Sequence, residues 1–387
     1  MLDSIHVGMT GLAGFSQGLR VIANNTANLN TPGFKAASLR YTDLFYSPSG
    51  AGDGSAAQLG HGLGTSGTTL DFSQGDLRQT GTDTDLGVDG DGMFVLRDAD
   101  GRIRYTRSGA FEFDSAGRLV DRATADVVLG QDPSGRTVEL SRAGMQATRG
   151  TPTTSLKFTG NLSSTVASYT SGTFKVYDTA GAEHQLAVRF TSTASTLPDS
   201  WKVELVDGGT AIGESQLVFA DGAPTAETSR LVFPYGSGSQ VLALDFSADA
   251  TSFAAGTLST LAMSSQDGKP PANLTTVTVN ASGVLVATYA NGQTVEGARV
   301  LLARLRAPGQ ANADGSSSFS AADGEVELGV AGKAGFGEVR AGVLEASNVD
   351  LSREFSELVI VQRGYQASSQ VVSTANDMLQ ELFNLRK

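Results

Sequence analysis

The sequence contains no cysteine, which excludes disulfides and thiolate metal sites. It has no run of eighteen apolar residues, so no membrane-spanning helix and no membrane insertion is expected. The opening MLDSIHVGMTGLAGF lacks a basic stretch, carries Asp3 and is interrupted by glycines, unlike a cleavable signal peptide. Charge is scarce at 18% of 387 residues, and 40 acidic against 28 basic side chains leave a net −12. That balance argues against nucleic acid or an anionic membrane as a partner. Histidine is nearly absent: His6, His61 and His184 stand too far apart in the chain to make a metal pair. No Gly-x-Ser-x-Gly elbow occurs, and the glycines at 329, 332, 335 and 337 lack the Lys-Ser/Thr end of a phosphate loop. The aspartates between 89 and 100 fail as a calcium loop, because the fifth position is Met93 counted from Asp89 and Arg102 counted from Asp98. Nothing here argues for catalysis, for a bound metal or for a cofactor.

What is present is concentrated at the two ends. From Ser347 to Lys387 there is no proline and one glycine, Gly364. Ser347 with Asp350 fits a capping-box start. Leu358, Val361, Tyr365, Val372, Ala375, Leu379 and Leu382 then recur at three- and four-residue steps, with Ser368 in the one polar slot. This spacing predicts one helix, roughly 50 Å long, with a coiled-coil-like seam. The N-terminus carries a matching stripe: Ile5, Leu12 and Leu19, then Phe15, Ile22 and Leu29, each set at steps of seven. Gly8, Gly11, Gly14 and Gly18 lie on or beside it, each costing about 1 kcal/mol against alanine in a helix. A helix so weakened is expected to order only against closely packed neighbours, leaving both termini disordered in a free monomer.

Between the ends the chain reads as β. With 47 glycines and aromatics at 7%, it is turn-rich. Residues 31–70, rich in Gly and Ser, read as a linker with some extended structure. Short apolar runs at 94–96, 105–107 and 111–113 alternate with Asp-Gly and Ala-Gly turns and read as strands. Residues 148–275 read as an inserted unit, with alternating segments at 173–177, 185–190, 201–206, 217–219, 230–233 and 241–246, as in an all-β barrel or sandwich. Strands at 274–279, 284–289 and 299–305 return to the core, and 309–337 reads as a long connector. The fold class is therefore mixed and mainly β, with paired terminal helices and nested, discontinuous domains. Residues 1–30 with 347–387 form the helical pair, 71–147 with 276–345 the core, and 148–275 the outer domain.

Four asparagines in seven residues, Asn24, Asn25, Asn28 and Asn30, precede Pro32-Gly33-Phe34. The proline and glycine explain a helix stop but not the asparagines. ANNTANLNTPGFK resembles the N-terminal signature of the bacterial flagellar rod and hook proteins. LEASNVDLSREFSELVIVQRGYQASSQVVSTANDMLQELFNLR, with Asn348, resembles their C-terminal signature. The 72–121 block is similar to the family's core, and TFKVYDTAGAEHQLAVRF with WKVELVDG resembles the middle domain of its hook members, which the shorter rod members lack. The resemblance covers most of the chain. It implies a self-assembling helical homopolymer, with terminal helices lining an inner tube, the β core as a middle layer and 148–275 outermost. It also implies an extracellular flagellar location and export without a cleaved signal. The partners it implies are distal rod protein, hook–filament junction protein, hook cap and export apparatus. The seam residues expected to carry assembly are Ile5, Leu12, Phe15, Leu19, Ile22, Leu358, Val361, Tyr365, Val372, Leu379 and Leu382. Asn24, Asn25 and Asn28 are expected as helix-end and inter-subunit hydrogen bonders. Two other readings stay open: a straight distal rod subunit, or a secreted β-rich adhesin that stacks Trp201 and Tyr177 on a carbohydrate.

Overall fold

The computed structural model describes residues 2–48, 58–193, 195, 199–235, 240–322, 324–333 and 335–384. The chain divides into two units: Met1–Ala143 with Val277–Ala287 and Glu296–Lys387, and Gly144–Thr276 with Thr288–Val295.

The first unit holds both terminal helices, α1 (Leu2–Ala27) and α2 (Leu351–Asn384). The cap of α2 is Asp350 and not the Ser347 expected from the sequence. Asp350 Oδ1 accepts the backbone N–H groups of Ser352 (2.8 Å) and Arg353 (3.3 Å). A carboxylate there satisfies first-turn donors and complements the positive end of the helix dipole. Within 31–70, read as a linker with some extended structure, the described residues hold paired strands. Ala37–Asp43 pairs antiparallel with Leu63–Leu70, and Tyr46–Pro48 with Gln58–Gly60. Composition hides this because Tyr41, Thr42, Thr65, Thr68 and Thr69 supply the β preference that glycine and serine dilute.

In the unit's main sheet, Met93–Arg97 pairs with Ile103–Thr106, Val127–Gln131 and Thr294–Leu305. The connector expected at 309–337 contributes strands Asn312–Gly315, Ser318–Ser320 and Val326–Val330 to this sheet. Phe94 and Phe111 meet edge-on at 5.0 Å in its core. Two short ribbons then carry the chain back. Glu338–Ala341 pairs with Leu86–Asp89, and Val343–Glu345 with Leu77–Gln79. The segment that leads into α2 thus runs beside the one that left the hairpin.

The second unit decides the barrel-or-sandwich question. A four-stranded and a six-stranded sheet share one core that includes Leu156, Phe158, Phe174, Phe190, Leu244 and Phe246, so the unit is a sandwich. Ser155–Asn161 pairs parallel with Gln240–Thr251. Trp201 and Tyr177 are buried in this unit, which removes both as ligand-stacking platforms.

Candidate functional site: the joined termini

The closest approach of the two helices is made by glycine. The buried residues of α1 are Gly8, Gly11, Gly14, Gly18, Ile22 and Asn25. A Cβ on Gly8 would lie 2.6 Å from Val372 Cγ2, and one on Gly11 2.7 Å from Ser368 Oγ. On Gly14 it would meet Leu63 at 2.8 Å, and on Gly18 it would overlap the Tyr41 hydroxyl. Absence of side chains lets α1 sit in the angle between α2 and the Ala37–Leu70 hairpin, and close packing offsets the poor helix propensity of the glycines. The partner that closes the glycine band is therefore the chain's own α2 and hairpin. From the other side, Phe15 fills the space over Gly364, whose Cβ would lie 2.6 Å from Phe15 Cζ.

Among the expected seam residues, Ile22 and Val361 are buried, and Ile5, Leu12, Phe15, Leu19, Leu358, Val372 and Leu379 are half-buried. Tyr365 (41% exposed) and Leu382 (51%) fall outside the intramolecular contact. The helix turns Gly364, not Tyr365, to Phe15, and Leu382 lies in the last turn, where every described residue is exposed. What the pairing leaves open on α2 is large and apolar: Phe355, Val359, Ile360 (67%), Val371, Met378 and Phe383 (67%).

The signature asparagines join segments far apart in the chain. Asn25 is buried; its Nδ2 donates to Ala37 O (2.8 Å) and to Glu354 Oε1 (2.9 Å), and its Oδ1 accepts the Ala37 N–H (3.0 Å). Asn25 thus spends these three bonds within the chain. Asn28 holds the end of α1, donating to Asn24 O (2.9 Å) and accepting from Thr31 Oγ1 (3.0 Å). Asn30 is exposed. Gly33 has φ +67° and donates its N–H to Glu345 O (2.8 Å), pressed against the Ser108 backbone where a Cβ has no room. Phe34 O accepts the Asn348 N–H (3.4 Å). Asn348 Oδ1 accepts the Ala36 N–H (2.8 Å), while its Nδ2 reaches Asp71 O (2.8 Å) and Ser73 O (3.0 Å).

Beneath these lies a charged cluster that the sequence reading missed. Lys35 Nζ contacts Glu345 Oε1 and donates to Ser73 O, each at 2.6 Å, with both side chains fully buried. The same Oε1 accepts the Gly75 N–H (2.9 Å), and Arg107 Nη1 lies 3.4 Å from Oε2. Burial pushes the Lys35 ammonium below the usual lysine range, opposed by the neighbouring Glu345 carboxylate. At Glu354, burial pushes the carboxyl above its usual range; the Asn25 amide pulls it down and Glu357 pushes it further up. The visible signal for Glu345 was a carboxylate closing the apolar Val343-Leu344 run. Nothing in the sequence paired it with Lys35, 310 positions away.

The arrangement is mechanical. It clamps residues 2–37 and 348–384 into one body and leaves large apolar side chains of α2 uncovered. Comparison with known proteins places that body. Four family models match successive parts of the chain. They are flagella basal body rod protein at 5–35, flagellar hook protein FlgE/F/G D1 domain at 87–144, flagellar basal body protein FlaE D2 domain at 147–325, and flagellar basal body rod FlgEFG protein C-terminal at 340–385. The flagellar hook protein FlgE of Salmonella typhimurium is 28% identical, the alignment covering 99% of this chain and all of the relative. That of Borreliella burgdorferi is 27% identical over the whole of both chains. A solved Helicobacter pylori flagellar hook protein, FlgE2, aligns with a TM-score of 0.46 at 13% identity, over 70% of this chain and all of that one. With helical signatures at both ends, the core block and the inserted sandwich all in family order, this chain belongs to the flagellar hook proteins of the bacterial rod and hook axial family.

Proposed function

We propose that the chain is the structural subunit of a flagellar hook, polymerising through α1 and α2 into a curved tube that transmits torque from rod to filament. The observation that carries this reading is the uncovered apolar surface of α2. Phe355, Val359, Ile360, Val371 and Met378 stay exposed outside the stripe clamped to α1, and Phe383 lies on that stripe, four residues beyond Leu379, in the exposed last turn. Apolar side chains of that size on one helix form a surface to be covered, and a like copy brings a matching one. The division of labour follows from packing. Apolar helical seams near the axis stay closed, while the inserted sandwich, complete in its own core, tolerates sliding contacts as the tube bends. In this reading the chain leaves the cell without losing its N-terminus, grows beneath a cap, and meets distal rod and hook–filament junction proteins at its ends. The test is electron microscopy of the concentrated protein and of a variant lacking 148–275. Tubes are expected from both, with altered curvature in the second. A wild-type chain that forms no tubes refutes the reading, and a deletion that abolishes tubes refutes the division of labour.

A further inference from the structure

Two adjoining hollows run between the start of α2 and the Ala36–Tyr41 segment, of about 350 and about 270 Å³, sharing Ala37, Ser38 and Glu357. One end is acidic: Asp71, Asp350, Glu354 and Glu357 line it, with Arg353 as the one basic side chain. The other end is apolar, walled by Val21, Leu39, Tyr41 and Ile360. Glu354 at the acidic end is only 6% exposed, and its Oε2 has no hydrogen-bond partner. A buried carboxylate oxygen without a donor is costly and marks a place where a donor is missing. Among the described residues no cluster of side chains suited to a metal ion occurs, so the complement is an organic cation with an apolar neighbour.

The chain carries that combination. Arg363 is exposed on α2 and makes no ion pair among the described residues. The positions three and four residues away, Val359, Ile360, Gln366 and Ala367, offer no carboxylate. Val359, one turn before it, is exposed and apolar. We propose that the trough receives Arg363 of a second copy of this chain, its guanidinium among the four carboxyl groups and Val359 toward the apolar end. Donor and receiver sit on the same helix, Arg363 six residues beyond Glu357 and so about 9 Å further along the axis. Set antiparallel, two such patches would satisfy each other in a closed pair; set parallel and staggered by that rise, each contact leaves one patch free at either end. In the parallel setting they join copies head to tail and propagate.

This inference rests on the hook reading, and the experiment separates the two. The critical concentration for tube formation is measured by sedimentation for wild type, Arg363→Glu, and Arg363→Glu with Glu357→Arg. Wild type failing to form tubes removes the hook reading itself. If it forms them, Arg363→Glu is expected to raise the critical concentration about tenfold with the monomer melt unchanged, and the second reversal to bring it back. Wild-type polymerisation by Arg363→Glu, or no recovery in the double variant, overturns the contact. Because the chain has no cysteine, a Glu357→Cys, Arg363→Cys chain gives a direct readout. Oxidising its tubes is expected to give a ladder of covalent oligomers, and tubes without a ladder overturn the proposal.

Discussion

Asn25 and Glu354 stand 329 positions apart and share a 2.9 Å hydrogen bond in the closed seam between the termini. Asn25 spends all three of its bonds inside the chain, while Glu354 keeps one oxygen without a partner. The pair therefore holds the two ends together at an electrostatic cost borne by one carboxyl group.

That cost sets a pH dependence. The folded Glu354 binds its proton more tightly than the unfolded one. Below the ordinary carboxylate range both states are protonated and there is no penalty. As pH rises from there through the raised folded value, stability is lost. Glu354→Gln is expected to remove this slope. The stability difference, variant minus wild type, should grow from about pH 4 to about pH 7 in parallel urea titrations. Taking the difference matters because Asp132, held at about 2 by Ser134 and Arg136, and the other lowered aspartates slope the opposite way. A flat difference would remove the penalty from Glu354.

The Lys35–Glu345–Arg107 cluster predicts an asymmetry. Glu345→Ala strands two buried cations and is expected to cost about 3–5 kcal/mol. Lys35→Met leaves Glu345 with Arg107 and the Gly75 N–H, and is expected to cost distinctly less. Chemical denaturation of both variants measures this, and equal losses would contradict the assignment of Glu345 as the hub.

Gly33→Ala is expected to destabilise the first unit by at least about 1–3 kcal/mol. Its positive φ is strained for alanine, and the Ser108 backbone occupies the place of the new methyl group. A thermal melt checks this, with Gly81→Ala, at φ +74° and with no neighbouring atoms, as the control.

Two substitutions on α2 separate holding the termini together from joining subunits. Ile360→Asp lies on the open face and should leave monomer stability within about 0.5 kcal/mol while preventing tube growth. Leu379→Asp lies in the half-buried seam and should leave a soluble monomer that no longer polymerises, with the end of α2 loosened as well. Calorimetry with electron microscopy reads both; normal tubes from either would count against the helix faces assigned here.

Amide exchange tests how far the helices depend on assembly. The buried face of α1 is mostly glycine, and beyond Ala375 no described residue of α2 is buried. Fast exchange over α1 and the last turns of α2 is expected in the monomer, with protection in tubes. Strong protection in the monomer would show that the intramolecular seam suffices.

The helices, the β interior and the inserted unit were legible in the sequence because each rests on local periodicity, which acts between residues a few positions apart. The pairing within 37–70 was legible only as some extended structure, because its glycines and serines hide the strand preference; the strands in 309–337 were not legible, because Ser318–Ser320 and Val326–Val330 form by pairing with strands outside that stretch, Ile103–Thr106 and Thr294–Leu305. The seam was legible as a stripe but not as a geometry. The sequence marked the glycines as a weakness, and only packing showed them to be the place where α2 and the hairpin come closest. Asn25 stood out as unexplained by a helix stop and Asn348 only as part of the C-terminal signature, yet their partners, Glu354, Ala37, Asp71 and Ser73, are set by how the termini return to each other. The same holds for Lys35 and Glu345. A buried charge is tolerable only where its counter-charge arrives, and that depends on the path of the whole chain, which no local pattern encodes.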